Sequence, residues 1–407
     1  MPKIDPDRVM GDLRRLAEFG KYKTGVHRPT YSSDDMAARH WLAGRMADAG
    51  LEPEIDGIGN VIGRGKGRGP CVLTGSHTES QNYAGWLDGP LGVIYGLEAA
   101  RAIGADPAFA GAVVDVGSWA DEEGHFGHFM GSRSFCGELA ETEIDTAADR
   151  TRGTKMRDAL ASAGLAGRPR ARLDPKRYVA YLEAHIEQGD WLEANGLRIG
   201  IVTSIVGIWQ FKINFEGVQN HAGTTRMAIR KDAGVALTRF CCEIERRFPE
   251  IAGSRSVWTT GRITLEPGDP SVIPGRAEML FQIRDADPEV LQRMERGLFE
   301  LAAAADKAGP CRVSVEALRK STPAMMSERV QAAIETAAAR HVPGRYVRMP
   351  SGAGHDAQIF ATQMPAGMLF VPSIGGISHH WSEDTKEEDI IAGAQVFTDA
   401  VAALLRS

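Results

Sequence analysis

The sequence predicts an α/β protein in which a smaller α+β domain interrupts a larger one, and three observations carry that expectation. Short β-branched runs bounded by glycine alternate with helical periodicity through the first half of the chain. From about Ile208 to Lys320 the style changes to alternating strands and two long helices. After Pro323 the first style resumes. The predicted domains are therefore 1–207 with 323–407, and an insert over 208–322.

The elements follow in order. Ser33-Asp34 can cap a helix running to Met46, with Gly50 marking its end. Strands are expected over 60–63 and 71–74, then a helix over 90–103 with Leu91, Ile94, Leu97 and Ala100 on one face. A strand over 112–116 delivers the chain to Asp121-Glu122-Glu123, and one over 178–184 ends at His185. Polar loops after strand ends are where open α/β sheets place their ligands. In the insert, a strand over 209–215 alternates in polarity, helices are expected over 231–248 and 288–307, and further strands near 257–264 and 277–284. Strand-helix-strand-strand-helix-strand gives one sheet face covered by two helices. Finally a strand over 367–371 leads into His379. No internal repeat or low-complexity tract interrupts this pattern.

Composition bounds the function. The chain has 407 residues, 43% hydrophobic and 25% charged, ordinary for a globular enzyme. Its 47 basic and 53 acidic residues leave −6, which disfavours nucleic acid as a partner and a membrane surface as a binding site. No apolar run approaches the roughly 20 residues needed to span a bilayer, and the N-terminus does not read as a signal peptide. Five cysteines, an odd number without C-x-x-C spacing, suggest reduced thiols and a cytoplasmic protein.

Five side chains sit in settings that each look like a metal-ligand loop: His77, Asp88, Glu123, His185 and His379. Three neutral imidazoles and two carboxylates are the mix that two neighbouring zinc- or manganese-like ions need. Each has a plainer reading. A lone histidine among eleven is more often core or surface, Asp88 at a helix start can be an N-cap, and Glu122-Glu123 can be a solvated acidic loop. Adjacent carboxylates at a strand end repel without a cation, however, and Glu122 could then take a proton from water while Glu123 binds the ion. Glu79, two residues past His77 in an extended segment, is placed to accept from the other ring nitrogen.

Read in order, Gly75-Ser76-His77, Leu87-Asp88-Gly89, Glu122-Glu123-Gly124, Gly131-Ser132-Arg133, His185-Ile186-Glu187-Gln188-Gly189, Asn220-His221-Ala222-Gly223-Thr224-Thr225, Ser351-Gly352-Ala353-Gly354-His355-Asp356 and Gly375-Gly376-Ile377-Ser378-His379 resemble the hydantoinase/carbamoylase branch of the M20 metallopeptidase family. That branch includes allantoate amidohydrolases, N-carbamoyl-L-amino acid hydrolases and β-ureidopropionases. The resemblance covers nearly the whole chain. It implies a zinc-peptidase-like catalytic domain with an inserted ferredoxin-like lid and dimerisation domain. It further implies two divalent ions per subunit, zinc or manganese, with cobalt or nickel as alternatives.

By the same resemblance Asp88 bridges the metals, His77 and His185 complete one ion, and Glu123 and His379 the other. Glu122 is the general base that deprotonates the bridging water and later protonates the leaving nitrogen. His221 reaches the partner subunit's site and stabilises the oxyanion. Gln188 and Arg284 contact substrate, the arginine fork suiting a carboxylate, and Gly354 with its neighbours brings backbone donors to the substrate's acidic end.

The chain departs from the family pattern around the substrate. Glu79 stands where aspartate is usual, Arg226-Met227 replaces Pro-Met, and Ser271 takes the place of an asparagine that contacts the ureido or acid group. The loop after Glu123-Gly124 is shorter and carries His125 and His128, and His380-Trp381 replaces Ser-Pro. Asn220, Ser271 and Arg226 therefore join the candidate substrate contacts.

The expected function is hydrolysis of a linear non-peptide C–N bond in a small acidic substrate, an N-carbamoyl amino acid or ureido acid, by a homodimer paired through the insert. The alternatives are an aminoacylase, dipeptidase or deaminase using the same metals, and a catalytically silent binding protein.

Overall fold

Four runs of buried residues build the centre of the larger of two units. The computed structural model describes residues 1–406. It separates Met1–Thr203 together with the chain from Met325 onward from a second unit, Ser204–Ala324. In the first unit the strands Cys71–Ser76, Val113–Ser118 and Ala366–Val371 are buried at every position, and Tyr178–Ile186 at all but one. Near-continuous apolar runs are what a sheet covered on both faces demands. These four strands are parallel neighbours, in the order Ala366–Val371, Tyr178–Ile186, Cys71–Ser76, Val113–Ser118. The C-terminal ends are level within each pair, Ser76 lying opposite Ser118 and Val371 opposite Ile186, and the second pair runs slightly further, since Thr74 lies opposite Leu182.

Five further strands finish the nine-stranded sheet. Val61–Arg64 and Glu52–Ile55 lie on one side, and Ile199–Ile205, Ala324–Met325 and Tyr346–Ser351 on the other. Successive strand residues face opposite ways. Val72, Val114, Ala180, Leu182 and Leu369 join one core with residues of the helices Pro6–Ala17, Pro90–Gly104, Glu328–His341 and Glu387–Leu404. The Pro90–Gly104 helix crosses so closely that a Cβ at Gly92 would lie 2.2 Å from the Ala184 carbonyl oxygen. On the other face Tyr181 stacks on Phe360, ring centroids 4.1 Å apart, beside Trp119 and Phe135.

Two details differ from the sequence expectation. The early helix is Ser33–Asp48, capped by Ser32, whose side chain accepts from the Asp35 amide, so the cap lies one residue earlier. His185 lies inside the Tyr178–Ile186 strand rather than after it. The ladder to Ala366–Val371 continues through Phe370↔His185 and Val371↔Ile186, and this pairing outlasts the apolar run that the sequence shows.

The second unit is a four-stranded antiparallel sheet ordered Val257–Glu266, Arg276–Asp285, Gly207–Glu216, Arg312–Lys320. The helices Ala233–Ile251 and Pro288–Ala308 cover one face. Phe211, Ile213, Phe215, Met279, Phe281 and Ile283 pack there against Phe240, Phe248, Leu291 and Leu298. The alternate residues Gln210, Lys212, Gln282 and Arg284 form the opposite face, which has no helix of this unit over it. All five cysteines are free thiols. Among the described residues no helix is long and apolar enough to cross a membrane.

Candidate metal centre and its surroundings

The neighbouring C-terminal ends of the parallel strands set the site. His77 follows Cys71–Ser76, Glu122 and Glu123 follow Val113–Ser118, His185 is the last residue but one of Tyr178–Ile186, and His379 lies in the loop after Ala366–Val371. Asp88 lies just before the Pro90–Gly104 helix. It is not the N-cap: Gly89 holds that position at φ +89°, and a Cβ there would sit 2.4 Å from the His77 ring. Glycine therefore lets the helix start directly against a ligand, which frees the Asp88 carboxylate to point elsewhere.

That carboxylate is the meeting point. Ligand atoms of His77, Asp88 and His185 lie within 4.8 Å of one another, and so do those of Asp88, Glu123 and His379. His185 Nε2 is 3.1 Å and His77 Nε2 3.9 Å from Asp88 Oδ1, whereas His379 Nε2 is 3.3 Å from Oδ2. Each oxygen of one carboxylate thus faces a different group. Glu123 Oε2 stands 3.8 Å from His379 Nε2 and is held by the Gln81 amide at 2.7 Å. The side chains of His77, Asp88 and His185 are 1–2% exposed, while that of His379 is 51% exposed, so the site opens on the His379 side.

The donor set fits divalent cations. His77 Nδ1 meets the Glu79 carbonyl at 3.1 Å, and His185 Nδ1 the Ile186 carbonyl at 2.9 Å. A carbonyl only accepts, so each Nδ1 carries a hydrogen and Nε2 is turned toward Asp88, where a neutral ring would present a lone pair. Lone pairs facing a carboxylate at this range need a proton or a metal between them. The electrostatics agree. Burial pushes Asp88 up, but His185 and His379 overcome it and hold the carboxyl well below its usual range. Burial lowers His185 and Asp88 raises it past that, to about 9. The hydrogen bond to Asp88 leads in lifting His379 to about 9.

Glu122 stands beside one group, its Oε2 3.6 Å from His77 Nε2. Burial, then Glu123, Asp356 and Asp88, push its carboxyl well above the usual range, a bias toward holding a proton that nearby cations would offset. The Gln188 amide nitrogen lies 3.1–3.2 Å from both Asp88 oxygens and 3.3 Å from His379 Nε2. Asp121, Gln188 and His379 all adopt left-handed backbone, at φ +59°, +60° and +55°. Such residues cost roughly 1–2 kcal/mol each, and strain of this kind collects where a site demands it.

Glu79 does not hold His77 with its carboxylate, as its spacing suggested; its backbone carbonyl does. The side chain runs the other way, accepting from the Glu122 amide at 2.7 Å and from the fully buried Arg39 at 2.9 Å. Sequence reasoning missed several partners. Glu383 accepts from the Asp88 amide at 3.2 Å and from Ser378 Oγ at 3.1 Å, and burial followed by Asp88 pushes it up to about 8. Ser373 Oγ accepts from the Gln188 amide, and the His355 ring meets the His185 ring edge-on at 4.6 Å. Gly354 lies one residue before His355, and a Cβ there would meet the Phe129 ring at 2.9 Å. Nothing in the local sequence around Ser373 or Glu383 marks them; Arg39 shows only the i,i+4 spacing to Asp35, and Gln81, two residues beyond Glu79, was within reach of the same strand-end argument.

The remaining candidates belong to the second unit. Asn220–His221 pairs with Val272–Ile273, and the Ala222 amide donates to the Ser271 carbonyl at 2.9 Å. The Gly223 and Thr224 amides donate to His221 Nδ1 at 3.0 and 3.2 Å. In the neutral ring the hydrogen is therefore on Nε2, and the exposed imidazole presents a donor. Arg230 braces this turn through the Thr225 and Ala222 carbonyls at 3.0 and 2.5 Å. Arg226 is exposed beside it. Arg284 is half-buried on the helix-free sheet face, where burial and Arg319 lower its pKa.

The pattern of peptidase family M20/M25/M40 matches residues 73–403. An N-carbamoyl-L-amino acid amidohydrolase of Geobacillus stearothermophilus is 34% identical over 98% of both chains. An allantoate amidohydrolase of Escherichia coli (strain K12) is 32% identical over 93% of both. The crystal structure of a hydantoinase/carbamoylase family amidase from Burkholderia phymatum superposes with a TM-score of 0.93 at 48% identity, covering 100% of this chain and 99% of that one. The chain thus belongs to peptidase family M20/M25/M40, on its hydantoinase/carbamoylase branch, and is a metal-dependent hydrolase of linear carbon–nitrogen bonds other than peptide bonds.

Proposed function

We propose that the protein hydrolyses an N-carbamoyl amino acid or related ureido acid, using two divalent cations and Glu122 as the proton carrier. The observation that carries this reading is the Asp88 carboxylate, whose two oxygens face two separate ligand groups with Glu122 beside one of them. His77 and His185 would hold one cation with Asp88, and Glu123 and His379 the other. When bound, such cations, zinc or manganese, supply Lewis acidity that makes water a competent nucleophile near neutral pH and polarises a carbonyl.

The chain's own groups do the rest. Glu122 takes a proton from water at Oε2 and returns it to the leaving nitrogen. Glu79, anchored on Arg39, fixes the backbone of that base through its amide. His221 offers Nε2–H to the developing oxyanion. Arg284 takes the substrate carboxylate, with Gln188, Asn220, Ser271, Arg226 and Gly354 around the ureido and acid groups. Water adds to the carbamoyl carbon, the C–N bond to the amino acid breaks, and the carbamate released decays to ammonia and carbon dioxide.

We take residues 1–207 with 323–407 to be the catalytic domain and 208–322 to be a lid that pairs two copies of the chain, His221 serving the other copy. The edge strand Val257–Glu266 supports this, since one of its sides is unpaired in the sheet and Val257, Ile263 and Leu265 are exposed. A cytoplasmic setting suits the five free thiols.

The test is a panel of N-carbamoyl amino acids, allantoate, acyl-amino acids and dipeptides, run with each metal in turn. Ammonia release from the carbamoyl or ureido acids is expected. Turnover confined to acyl-amino acids or dipeptides would overturn the reading.

A further inference from the structure

A β-bulge in the second unit puts a second arginine on the face that carries Arg284. The strand Arg312–Lys320 pairs with Gly207–Glu216 in regular register up to Ala317↔Phe211, then skips a residue, so that Arg319 rather than Leu318 stands opposite Gln210. Phe211, with Val313 and Val315, packs against the helices, and Ala317 shares their face by register; Gln210 and Arg319 face the other way. Without the extra residue Arg319 would point under the helices, since one step of register exchanges the faces. Leu318, the residue that the skip leaves over, is 46% exposed. Bulges recur at sheet edges and next to active sites, where they re-aim a side chain.

The row across this face is Gln282, Gln210, Arg319, since Gln282 also pairs with Gln210. Gln210 Nε2 and the Gln282 amide lie 3.2 Å apart, and with the Gln282 amide assigned by its neighbours its oxygen accepts from Arg284 Nε at 3.0 Å and Nη2 at 3.2 Å. This contact orients the Arg284 fork along the sheet toward the glutamine row. Arg284 and Arg319 are both half-buried and close enough to repel, and burial with that repulsion lowers Arg284. Two guanidinium groups on one partly desolvated sheet face can each take a carboxylate through a bidentate fork.

We propose that Arg319 is a specificity residue and that the substrate is a doubly acidic ureido acid, with one carboxylate for Arg284 and a second, on the side chain, for Arg319. The inference rests on the reading of Arg284 as the carboxylate contact. The glutamine amides between them present both donors and acceptors, suited to the edges of two carboxylates.

The test compares kcat and KM for N-carbamoyl-L-aspartate and N-carbamoyl-L-glutamate with those for N-carbamoyl-L-norvaline and allantoate, using the metal-loaded protein and Arg319→Gln. A charge-assisted pair lost from a partly buried site corresponds to about tenfold or more. Wild-type protein should therefore favour a diacid by at least about that factor in kcat/KM, and Arg319→Gln should raise KM for the diacid alike. KM for the norvaline derivative should stay unchanged in the variant, which also shows that it is folded, and Arg319→Lys should restore part of the preference. Equal or better turnover of the norvaline derivative or allantoate by the wild type would overturn the inference while leaving the ureido-acid reading intact. So would a loss in Arg319→Gln that is the same for every substrate. Hydrolysis of none of the four would overturn both.

Discussion

The loops at the ends of the parallel strands and the His221 turn of the second unit hold their key side chains by opposite means. Around Asp88 the imidazoles and carboxylates are mostly buried, come from distant stretches of chain, and press together groups that need protons or cations between them. Around His221 the ring is exposed, and it is held by amides two and three residues away and by Arg230 on the same turn. The first arrangement suits chemistry that needs a fixed field, since preorganised charge costs no rearrangement when the reaction comes. The second suits a donor that meets substrate from outside, because a locally braced turn keeps its shape whatever lies beside it.

Variants can break this contrast, beginning with the largest effect. Asp88→Ala removes the group common to both ligand sets, so bound metal measured by elemental analysis should fall sharply and activity should become undetectable; full metal content in that variant would refute the shared role. Glu122→Gln keeps every ligand. It should retain its metal and lose about 10²–10⁴-fold in kcat, and an unchanged rate would remove Glu122 from the mechanism. His221→Ala should cost about 10²–10³-fold in kcat with metal content untouched, separating the two regions by a single measurement.

Arg230→Ala should act only through the turn. We expect about a tenfold loss for its two carbonyl hydrogen bonds, and no further loss when it is added to His221→Ala, because the two residues work as one unit. An additive double variant would show that Arg230 has some other task. The gentlest test is pH. With His185 and His379 at about 9, the metal-free protein holds protons there at neutral pH, and a cation must displace them. Metal affinity should therefore rise as pH climbs toward about 9. Calorimetry at pH 7.5 in buffers of different ionisation heat should register proton release; heats independent of buffer would contradict the scheme.

How legible the site is in the sequence depends on which atoms do the work. His77, Asp88, Glu123, His185 and His379 stand out because they are metal-binding types at the ends of apolar runs, and topology brings such ends together. Asp88 reads equally well as a helix cap until the backbone of Gly89 shows that the cap position is taken. The contact from Glu79 to His77 is made by a carbonyl, which every residue possesses, so residue type alone pointed to the wrong atom. Arg39 also pairs with Asp35 one helical turn back, a spacing the sequence shows, but its contact with Glu79 and that of Glu383 with the Asp88 amide join distant stretches of chain, which no local pattern announces. The placement of Arg319 depends on a one-residue skip in register, a property of strand pairing rather than of composition. The insert was easier to read, because alternating polarity over 209–215 and two long amphipathic helices state their faces directly.

Anomalous diffraction from crystals of the zinc- or manganese-loaded protein tests the central claim most directly. The account predicts two peaks on either side of the Asp88 carboxylate, one within bonding distance of His77 and His185 and the other of Glu123 and His379. A single peak that leaves one of those pairs unbound, or density away from Asp88 altogether, would contradict it.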